Sequence, residues 1–272
     1  MTFLDRPSIG VFDSGFGGLT VLKELVAQNP DADYLYFGDT ARLPYGSKSV
    51  ETVARYAVEA AHFLEGQGAE LLVIACNTAT ALALDRITGG SQVPVVGVVE
   101  PGAEQASATS KNRRVVVVGT EATVSSHAYR KALESRGVQA REKACPLLVP
   151  LVEEGWVEHP VTEQVAEIYL REAFADGFHD ADVLVLGCTH YPLIKPLLRR
   201  VAPPHVTIVD SAHSTAKVVS ERIRALKDKR ESNTQPTGLQ FFATDSVEKF
   251  RRLGPRFLGH PVESVEHVDL KE

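Results

Sequence analysis

Short runs of β-branched and aliphatic residues alternate with helix-like patterns along almost the whole chain. Between the runs, apolar residues recur at helical spacing, as at Leu19, Leu22 and Leu25 and again after Ser49, which is a candidate helix cap. Near-continuous apolar strands separated by helices indicate parallel sheets covered on both faces. The predicted fold class is therefore α/β, with buried strands at residues 8–12, 34–37, 71–75, 95–99, 115–118, 183–186 and 206–209.

One segment of the chain is echoed by another. Both LLVIACNTATAL and VLVLGCTHYPLI carry an apolar run, a cysteine, a threonine and a helical pattern, and their cysteines, Cys76 and Cys188, lie 112 positions apart. Two further pairs fit nearly the same spacing: Glu100 with Asp210 at 110, and Asp13 with Thr120 at 107. We therefore expect two pseudo-symmetric parallel-sheet α/β domains with an active-site cleft between them, chance similarity of the two copies being the alternative.

The C-terminal part of the chain predicts how the two domains are divided. A polar, loop-like stretch covers residues 227–238, and a strand at 239–243 and a helix near 247–252 follow it. This tail is expected to complete the first sheet. The first domain is then discontinuous, with residues 1–99 plus 210–272, and the second domain comprises residues 100–209.

Composition excludes several classes of protein. The 272 residues are 44% hydrophobic and 24% charged, as in an ordinary globular protein, and the net charge of −6 comes without a basic block. This argues against a nucleic-acid partner. No apolar run approaches the roughly 18 residues that a membrane span needs, and the N-terminus lacks the apolar core of a signal peptide. We expect a cytoplasmic protein whose three widely spaced cysteines are reduced thiols.

Four polar segments, at residues 13–15, 38–46, 76–78 and 188–190, follow predicted strands. Ligands of open α/β sheets bind beyond the carboxyl ends of the strands. Cys76 and Cys188 each follow a strand and precede a predicted helix, whose dipole is expected to lower the thiol pKa from about 8.5. Either cysteine alone could be a small buried hydrophobe, but two at matching places favour chemistry. Cys145 has no counterpart and is expected to be structural.

Other strand-end residues are candidates for supporting roles. Asp13 and His190 could set the protonation state of a nearby thiol, and Asp13 could also cap a helix. Glu153 and Glu154 form an acidic pair that fits either the site or solvated surface. The DSGFGG turn lacks the last glycine of a dinucleotide fingerprint, so its glycines are expected to let backbone N–H groups approach a carboxylate. Cys188, His190 and Cys145 lack a recognised zinc-ligand spacing, and we expect no metal.

Taken together, the motifs resemble the glutamate racemase family, within the aspartate/glutamate racemase superfamily. The resemblance covers residues 9–193, about two thirds of the chain, in the order of the family. The PYG segment favours glutamate over other members of the superfamily. The motifs that carry it are IGVFDSGFGGLTV, YFGDTARLPYG, LLVIACNTATA, VVGVVEPG, CPLLVPLVEEG and VLGCTHYPL.

The resemblance implies specific roles. Cys76 and Cys188 would be the two catalytic acid/base groups, with Asp13, Glu153 and His190 as auxiliary groups. It also implies glutamate as substrate, D-glutamate supply for peptidoglycan, a cytoplasmic location and a homodimer. The substrate-binding residues implied are Asp13, Ser14, Tyr45, Gly46, Asn77, Thr78, Thr189 and His190.

A racemase must remove a Cα proton on one face and return one on the other. Two thiols on opposite faces of the substrate do this directly, with sulfurs about 6–7 Å apart and unbonded. No lysine stands in an obvious Schiff-base setting, so no pyridoxal phosphate or other cofactor is expected. The alternatives are a racemase for aspartate or a hydantoin, a two-domain binding protein, and a redox or metal protein.

Overall fold

The structure, a computed structural model, describes residues 6–227 and 237–270. Most of the predicted polar stretch at 227–238, namely residues 228–236, lies outside the described residues. The strands are β1 (Ser8–Asp13), β2 (Asp33–Gly38), β3 (Leu71–Ile74), β4 (Val95–Gly97), β5 (Arg114–Gly119), β6 (Gln139–Ala144), β7 (Val183–Gly187), β8 (Thr207–Asp210), β9 (Leu239–Ala243) and β10 (Glu266–His267).

Helices connect nearly all the strands. The α-helices are α1 (Leu19–Gln28), α2 (Val50–Gly66), α3 (Asn77–Gly90), α4 (Val99–Thr109), α5 (Glu121–Ser126), α6 (Ala128–Glu134), α7 (Leu148–Glu153), α8 (Pro160–Ala173), α9 (Lys195–Val201), α10 (Ser211–Lys227) and α11 (Val247–Leu258). Short 3-10 turns lie at Thr40–Arg42, Tyr45–Ser47 and Tyr191–Ile194. Ser49 caps α2 as predicted, because its side chain accepts the Thr52 N–H at 3.3 Å.

The strands form two parallel sheets, which confirms the predicted α/β class. The first sheet has the order β10-β9-β2-β1-β3-β4 and the second β6-β5-β7-β8, and all their paired strands run parallel. The order β2-β1-β3-β4 in the first sheet is repeated as β6-β5-β7-β8 in the second. The two sheets are therefore pseudo-symmetric, and parallel pairing brings the carboxyl ends of each set to one edge.

The strand registers correct two of the three predicted spacings. Val11 pairs with Val73 in the first sheet and Val117 pairs with Val185 in the second. When β3 and β7 are aligned by the cysteine spacing of 112, β1 and β5 are related by 106 positions rather than the predicted 107. Gly119 is then the counterpart of Asp13, and Thr120 that of Ser14. The sequence comparison pairs the polar residues Asp13 and Thr120, whereas the register of paired strands is defined by their backbone hydrogen bonds.

The fourth strands need a similar correction. Val96 pairs with Val73 and Val209 with Val185, which makes Gly97 the counterpart of Asp210. Glu100 was the predicted counterpart, but β4 ends at Gly97 and α4 begins at Val99, so the predicted strand at 95–99 is too long.

Two strands were not predicted. Strand β6 has the sequence QAREKA and lies at the edge of the second sheet, where only Ala140 is buried, so it lacks a run of apolar residues. Strand β10 has two exposed residues beside β9. Edge strands are hard to predict from hydrophobicity. Each has a neighbouring strand on one side only, so fewer of its residues are buried and apolar.

The tail of the chain returns to its beginning. Strand β9 pairs with β2, and α11 packs against α1, so the first sheet contains strands from both ends of the described chain. Helix α10 packs on both α1 and α4. The domain boundaries at 99/100 and 209/210 stay predictions. Among the described residues, no helix has the length and apolar character needed to cross a membrane.

Candidate active site

A cavity of about 400 Å³ lies where the carboxyl ends of the two sheets meet. Cys76 and Cys188 both line it, and both are free thiols. The sequence-predicted residues that line the cavity are Ser14, Tyr45, Gly46, Cys76, Asn77, Thr78, Glu153, Cys188, Thr189 and His190. Asp13 is not part of the lining. It is buried next to it, with the Thr189 hydroxyl 3.5 Å from its Oδ1.

Cys76 occupies the N-cap of α3, just beyond β3. Its sulfur accepts the Ala79 N–H at 3.4 Å, and its thiol donates to the Ser14 hydroxyl at 3.6 Å. Burial and the charge of Asp13 nevertheless raise the Cys76 pKa to about 12. The prediction that the helix dipole lowers this pKa is therefore wrong, because desolvation outweighs the dipole.

Cys188 stands at the matching position beyond β7 but in a different local structure. The segment that follows it forms the 3-10 turn Tyr191–Ile194, and α9 begins only at Lys195. The helix predicted after Cys188 therefore begins later than the one after Cys76, and Pro192 and Pro196 lie in the first turns of the 3-10 segment and of α9. The Nδ1 atom of His190 lies 3.9 Å from the Cys188 sulfur.

His190 is the centre of a charged chain of side chains. Its Nε2 lies 3.2 Å from Glu153 Oε1, and Lys249 donates to Glu153 Oε2 at 2.9 Å. Burial lowers the His190 pKa, but hydrogen bonds to Cys188 and Glu153 outweigh it and raise the pKa to about 10. Burial raises the Glu153 pKa, but the contacts with His190 and Lys249 lower it to about 2. At neutral pH the two groups form an imidazolium–carboxylate pair.

The neighbouring glutamate takes no part in this chain. Glu154 is exposed and caps the C-terminus of α7, whereas Glu153 faces the cavity.

Asp13 ends β1 and is held by the glycine-rich turn that follows. Its Oδ2 accepts the Gly15 N–H at 2.9 Å, and burial raises its pKa although the charge of His190 opposes the rise. The turn glycines therefore bind a carboxylate of the chain itself. The N-cap of α1 is Gly18, so Asp13 does not cap that helix. A side chain at Gly17 would collide with the Thr189 hydroxyl and the His190 ring, so this glycine permits close packing between the two sheets' loops.

Hydroxyl and amide groups line the other side of the cavity. The Thr78 hydroxyl lies 2.9 Å from that of Thr120 and 3.2 Å from that of Thr123. Asn77 Oδ1 accepts a hydrogen bond from Tyr129 at 2.7 Å, while its Nδ2 is buried without a partner among the described residues. An unpaired amide donor on a residue that lines a cavity suits an anionic ligand.

Tyr45 and Gly46 close the cavity beside the threonines. The Tyr45 hydroxyl donates to buried Asp39 at 2.5 Å, so its proton is already used within the protein. A Cβ at Gly46 would lie 2.8 Å from Thr120 Cβ. This position therefore needs glycine for the two sheets' loops to approach.

Sequence reasoning missed several lining residues, notably Lys249, Thr120 and Glu121. Thr120 had a signal in the internal repeat. Lys249 had none, because a lysine on an amphipathic C-terminal helix is typical of solvated surface. Lys249 lines the cavity with its Nζ ion-paired to Glu153; the expectation that no lysine stands in an obvious Schiff-base setting stays a prediction. In the described ranges, no three His, Cys, Asp or Glu side chains cluster in a way that could hold a metal ion.

Comparisons with known proteins point to one family. A family profile described as Asp/Glu/Hydantoin racemase matches residues 9–219. The chain is 63% identical to the glutamate racemase of Koribacter versatilis, with 97% of this chain and 98% of that protein covered.

Solved structures agree. The glutamate racemase of Francisella tularensis in complex with D-glutamate has a TM-score of 0.89 at 34% identity, with 98% of both chains covered. That of Thermus thermophilus in complex with β-chloro-D-alanine has a TM-score of 0.85 at 45% identity, with the same coverage. The chain therefore belongs to the Asp/Glu/Hydantoin racemase family, in which its relatives are glutamate racemases, and it is an amino-acid racemase.

Proposed function

We propose that this protein interconverts L- and D-glutamate by a cofactor-independent mechanism in which Cys76 and Cys188 are the two acid/base groups. One observation carries the proposal: two free thiols at matching strand ends of two pseudo-symmetric sheets line a single cavity. A substrate held between them has one sulfur on each face of its Cα.

The reaction balances with the two thiols alone. One sulfur, as thiolate, takes the Cα proton and becomes a thiol, leaving a carbanion on the substrate. The other sulfur, as thiol, gives its proton to the opposite face and becomes a thiolate. The two sulfurs thus exchange protonation states in each turnover, and the reverse direction uses the same groups in opposite roles.

Auxiliary charges make one thiol differ from the other before substrate binds. Cys76, next to Asp13 and with its pKa raised to about 12, is the group suited to begin as the proton donor. Nδ1 of His190 lies 3.9 Å from the Cys188 sulfur, and Glu153 holds His190 in place, so Cys188 is the group proposed to begin as the base. Asp13, Glu153 and His190 thus place different groups beside the two sulfurs.

The Cα–H bond is only weakly acidic, so the carbanion formed from it must be stabilised. Fixed hydrogen-bond donors that bind the substrate can do this. The free amide of Asn77 and the hydroxyls of Ser14, Thr78 and Thr189 supply such donors around the cavity. Donors already in place stabilise developing charge without reorganisation. Tyr45, Gly46 and His190, which also line the cavity, complete the proposed substrate-binding set, with Asp13 behind it.

Glutamate is proposed as the substrate because the chain aligns with curated glutamate racemases over nearly their whole length. The family also includes aspartate and hydantoin racemases, so the competing substrates are defined. From the same kinship we propose that the enzyme supplies D-glutamate for peptidoglycan, acts in the cytoplasm and forms a homodimer.

A chiral assay tests the activity. Purified protein without added cofactor should convert L-glutamate to the D enantiomer and should turn over L-aspartate far more slowly. Cys76→Ala and Cys188→Ala should each abolish turnover in both directions. Cys145→Ala is the matched control, because Cys145 is also buried but does not line the cavity. Full activity of either cavity variant would refute the two-thiol mechanism.

A second experiment separates one base from two. In heavy water, the product enantiomer should carry solvent deuterium at Cα, because the incoming proton comes from a different sulfur than the one that received the outgoing proton. Retention of the original hydrogen would indicate a single shielded base. Alkylation of the thiols should stop turnover, whereas the ligand affinity of a non-catalytic binding protein would survive it.

A further inference from the structure

Tyr129 connects the two sheets behind the cavity. It lies on α6, on the second-sheet side, and is fully buried. Its hydroxyl donates to Oδ1 of Asn77, the first residue of α3 on the first-sheet side, at 2.7 Å. Tyr129 does not line the cavity itself, whereas Asn77 does. The tyrosine thus acts on the cavity only through the asparagine.

The donor in this hydrogen bond is fixed by the chemistry of its two atoms. A tyrosine hydroxyl carries one proton and an amide oxygen carries none, so Tyr129 donates and Asn77 Oδ1 accepts. The amide nitrogen of Asn77 is turned the other way.

The packing around the hydroxyl keeps this arrangement tight. A Cβ at Gly102 of α4 would lie 3.2 Å from the Tyr129 hydroxyl oxygen and 3.1 Å from Ser211 Cβ. Asn77 Nδ2 is buried without a partner in the part of the chain that the structure describes. A buried donor with no partner is unfavourable unless a ligand pairs with it.

We propose that Tyr129 is a positioning residue that locks the side-chain amide of Asn77 with its N–H groups toward the substrate. This rests on the proposed function, in which the ligand is an amino acid whose carboxylate and developing negative charge need donors. Without Tyr129 the amide can rotate by half a turn. Its carbonyl oxygen would then face the substrate and repel its negative charge.

Tyr129→Phe is the first test. It keeps the ring and removes only the hydroxyl, so we expect kcat/KM for glutamate to fall about 10-fold, the usual weight of one hydrogen bond. Tyr34→Phe is the matched control, because Tyr34 is similarly buried and its hydroxyl lies 2.9 and 3.0 Å from the carbonyl oxygens of Leu25 and Asn29, outside the cavity lining. Both variants should lose similar thermal stability, but only Tyr129→Phe should lose activity.

A double-mutant cycle separates positioning from general support of the fold. In an Asn77→Ala background, Tyr129→Phe should cause no further loss of kcat/KM, because its effect is transmitted only through the amide. Additive losses in an active enzyme would overturn the inference, as would a Tyr129→Phe variant within twofold of wild type. Inactivity of the wild-type protein on glutamate would overturn the proposed function itself. Failure of the inference alone would appear in the variants of an active enzyme, so the two failures are distinguishable.

Asn77→Asp serves if Tyr129→Phe does not fold. The carboxylate still accepts the Tyr129 proton, but it offers no donor to the substrate. We expect it to lose kcat/KM at least as much as Asn77→Ala does. Wild-type activity in Asn77→Asp would show that the N–H groups are not needed and would overturn the inference.

Discussion

Two junctions connect the loops of the two sheets beside the cavity, and they differ in charge. The charged junction consists of Asp13, Thr189, His190, Glu153 and Lys249. The threonine junction consists of Thr78, Thr120 and Thr123, joined by hydroxyl contacts of 2.9–3.2 Å. The internal repeat relates their members: His190 has Thr78 as its counterpart, and Asp13 has Gly119.

This difference teaches that the backbone repeat and the electrostatics are set independently. The repeat places a sulfur at the same strand end in each sheet, as two opposed acid/base groups require. Among the residues that define the two junctions, the ionisable side chains belong to the charged one, where Asp13 acts on Cys76 and His190 lies beside Cys188. Since L- and D-glutamate have equal free energies in water, kcat/KM must still be equal in both directions. The asymmetry can therefore appear only in kcat and KM separately.

Apart from the loss of either catalytic cysteine, the largest expected effect comes from removing the charge next to Cys188. His190→Asn keeps a polar side chain but cannot become a cation, and we expect kcat/KM to fall by about 100-fold, a typical contribution of an acid/base group. Initial rates with each enantiomer measure this. The loss must be equal in kcat/KM for both directions. A variant within threefold of wild type would contradict the importance of the charged junction.

The second effect is on stability and its dependence on pH. The His190 pKa is raised from 6.5 to about 10, so the stability it contributes is complete below pH 6.5 and is lost as the pH rises through about 10. Glu153→Gln should therefore reduce the free energy of unfolding by about 2 kcal/mol near neutral pH and by much less above pH 10. Chemical denaturation at the two pH values measures the difference.

The threonine junction provides the control for that experiment. Thr120→Val removes a hydroxyl and no titrating group, so its loss of about 1 kcal/mol in the free energy of unfolding should be the same at both pH values. A pH-dependent effect of Thr120→Val would contradict the assignment of charge to one junction.

At acid pH the charged junction should also lose stability. The Glu153 pKa is lowered from 4.5 to about 2, so the stability that Glu153 contributes is complete above pH 4.5 and is lost as the pH falls through about 2.

A third effect concerns Cys76. Asp13→Asn removes the carboxylate charge that helps to raise the Cys76 pKa, so this pKa should fall below about 12 while burial keeps it above the ordinary 9.0. The pH dependence of alkylation at Cys76, followed by mass spectrometry, measures the shift. We expect kcat/KM to fall about 10-fold. Glu154→Gln, an exposed carboxylate, should leave the titration of Cys76 unchanged; an unshifted titration in Asp13→Asn would contradict the prediction.

The smallest effect is expected at Lys249. Its side chain is 38% exposed, and its ion pair with Glu153 is partly screened by solvent. Lys249→Met should therefore reduce stability by about 0.2–1 kcal/mol, and less at high salt. Lys249→Arg should restore the pair. A loss as large as that of Glu153→Gln would mean that Lys249 is as important to the charged junction as His190.

The sequence allowed most of the fold to be predicted because the buried strands are continuous apolar runs. Runs such as IGVF and VLVL are typical of strands in a parallel sheet that is covered on both faces. Strand β6 could not be predicted in this way, since QAREKA is polar and owes its place to backbone pairing with β5. The strand ends, and therefore the cysteine segments, followed directly from the apolar runs.

Prediction of the site was less complete, for a physical reason. Residues at strand ends are placed by local sequence, so Cys76, Asn77, Cys188 and His190 could be identified. Lys249 is placed by the packing of α11 against α1, a contact between residues more than 200 positions apart. The high pKa of Cys76 could not be read from its helix cap either, because burial depends on the whole fold.

The return of the tail to the first sheet has a consequence for synthesis. Both cysteine-bearing strands leave the ribosome before α11 does, so a growing chain can hold Cys76, Cys188 and Glu153 while Lys249 is still missing. Until β9 pairs with β2 and α11 docks, the Oε2 atom of Glu153 lacks its contact with the Lys249 ammonium. The nascent protein should therefore acquire its complete charge arrangement only after α11 has been synthesised and has docked.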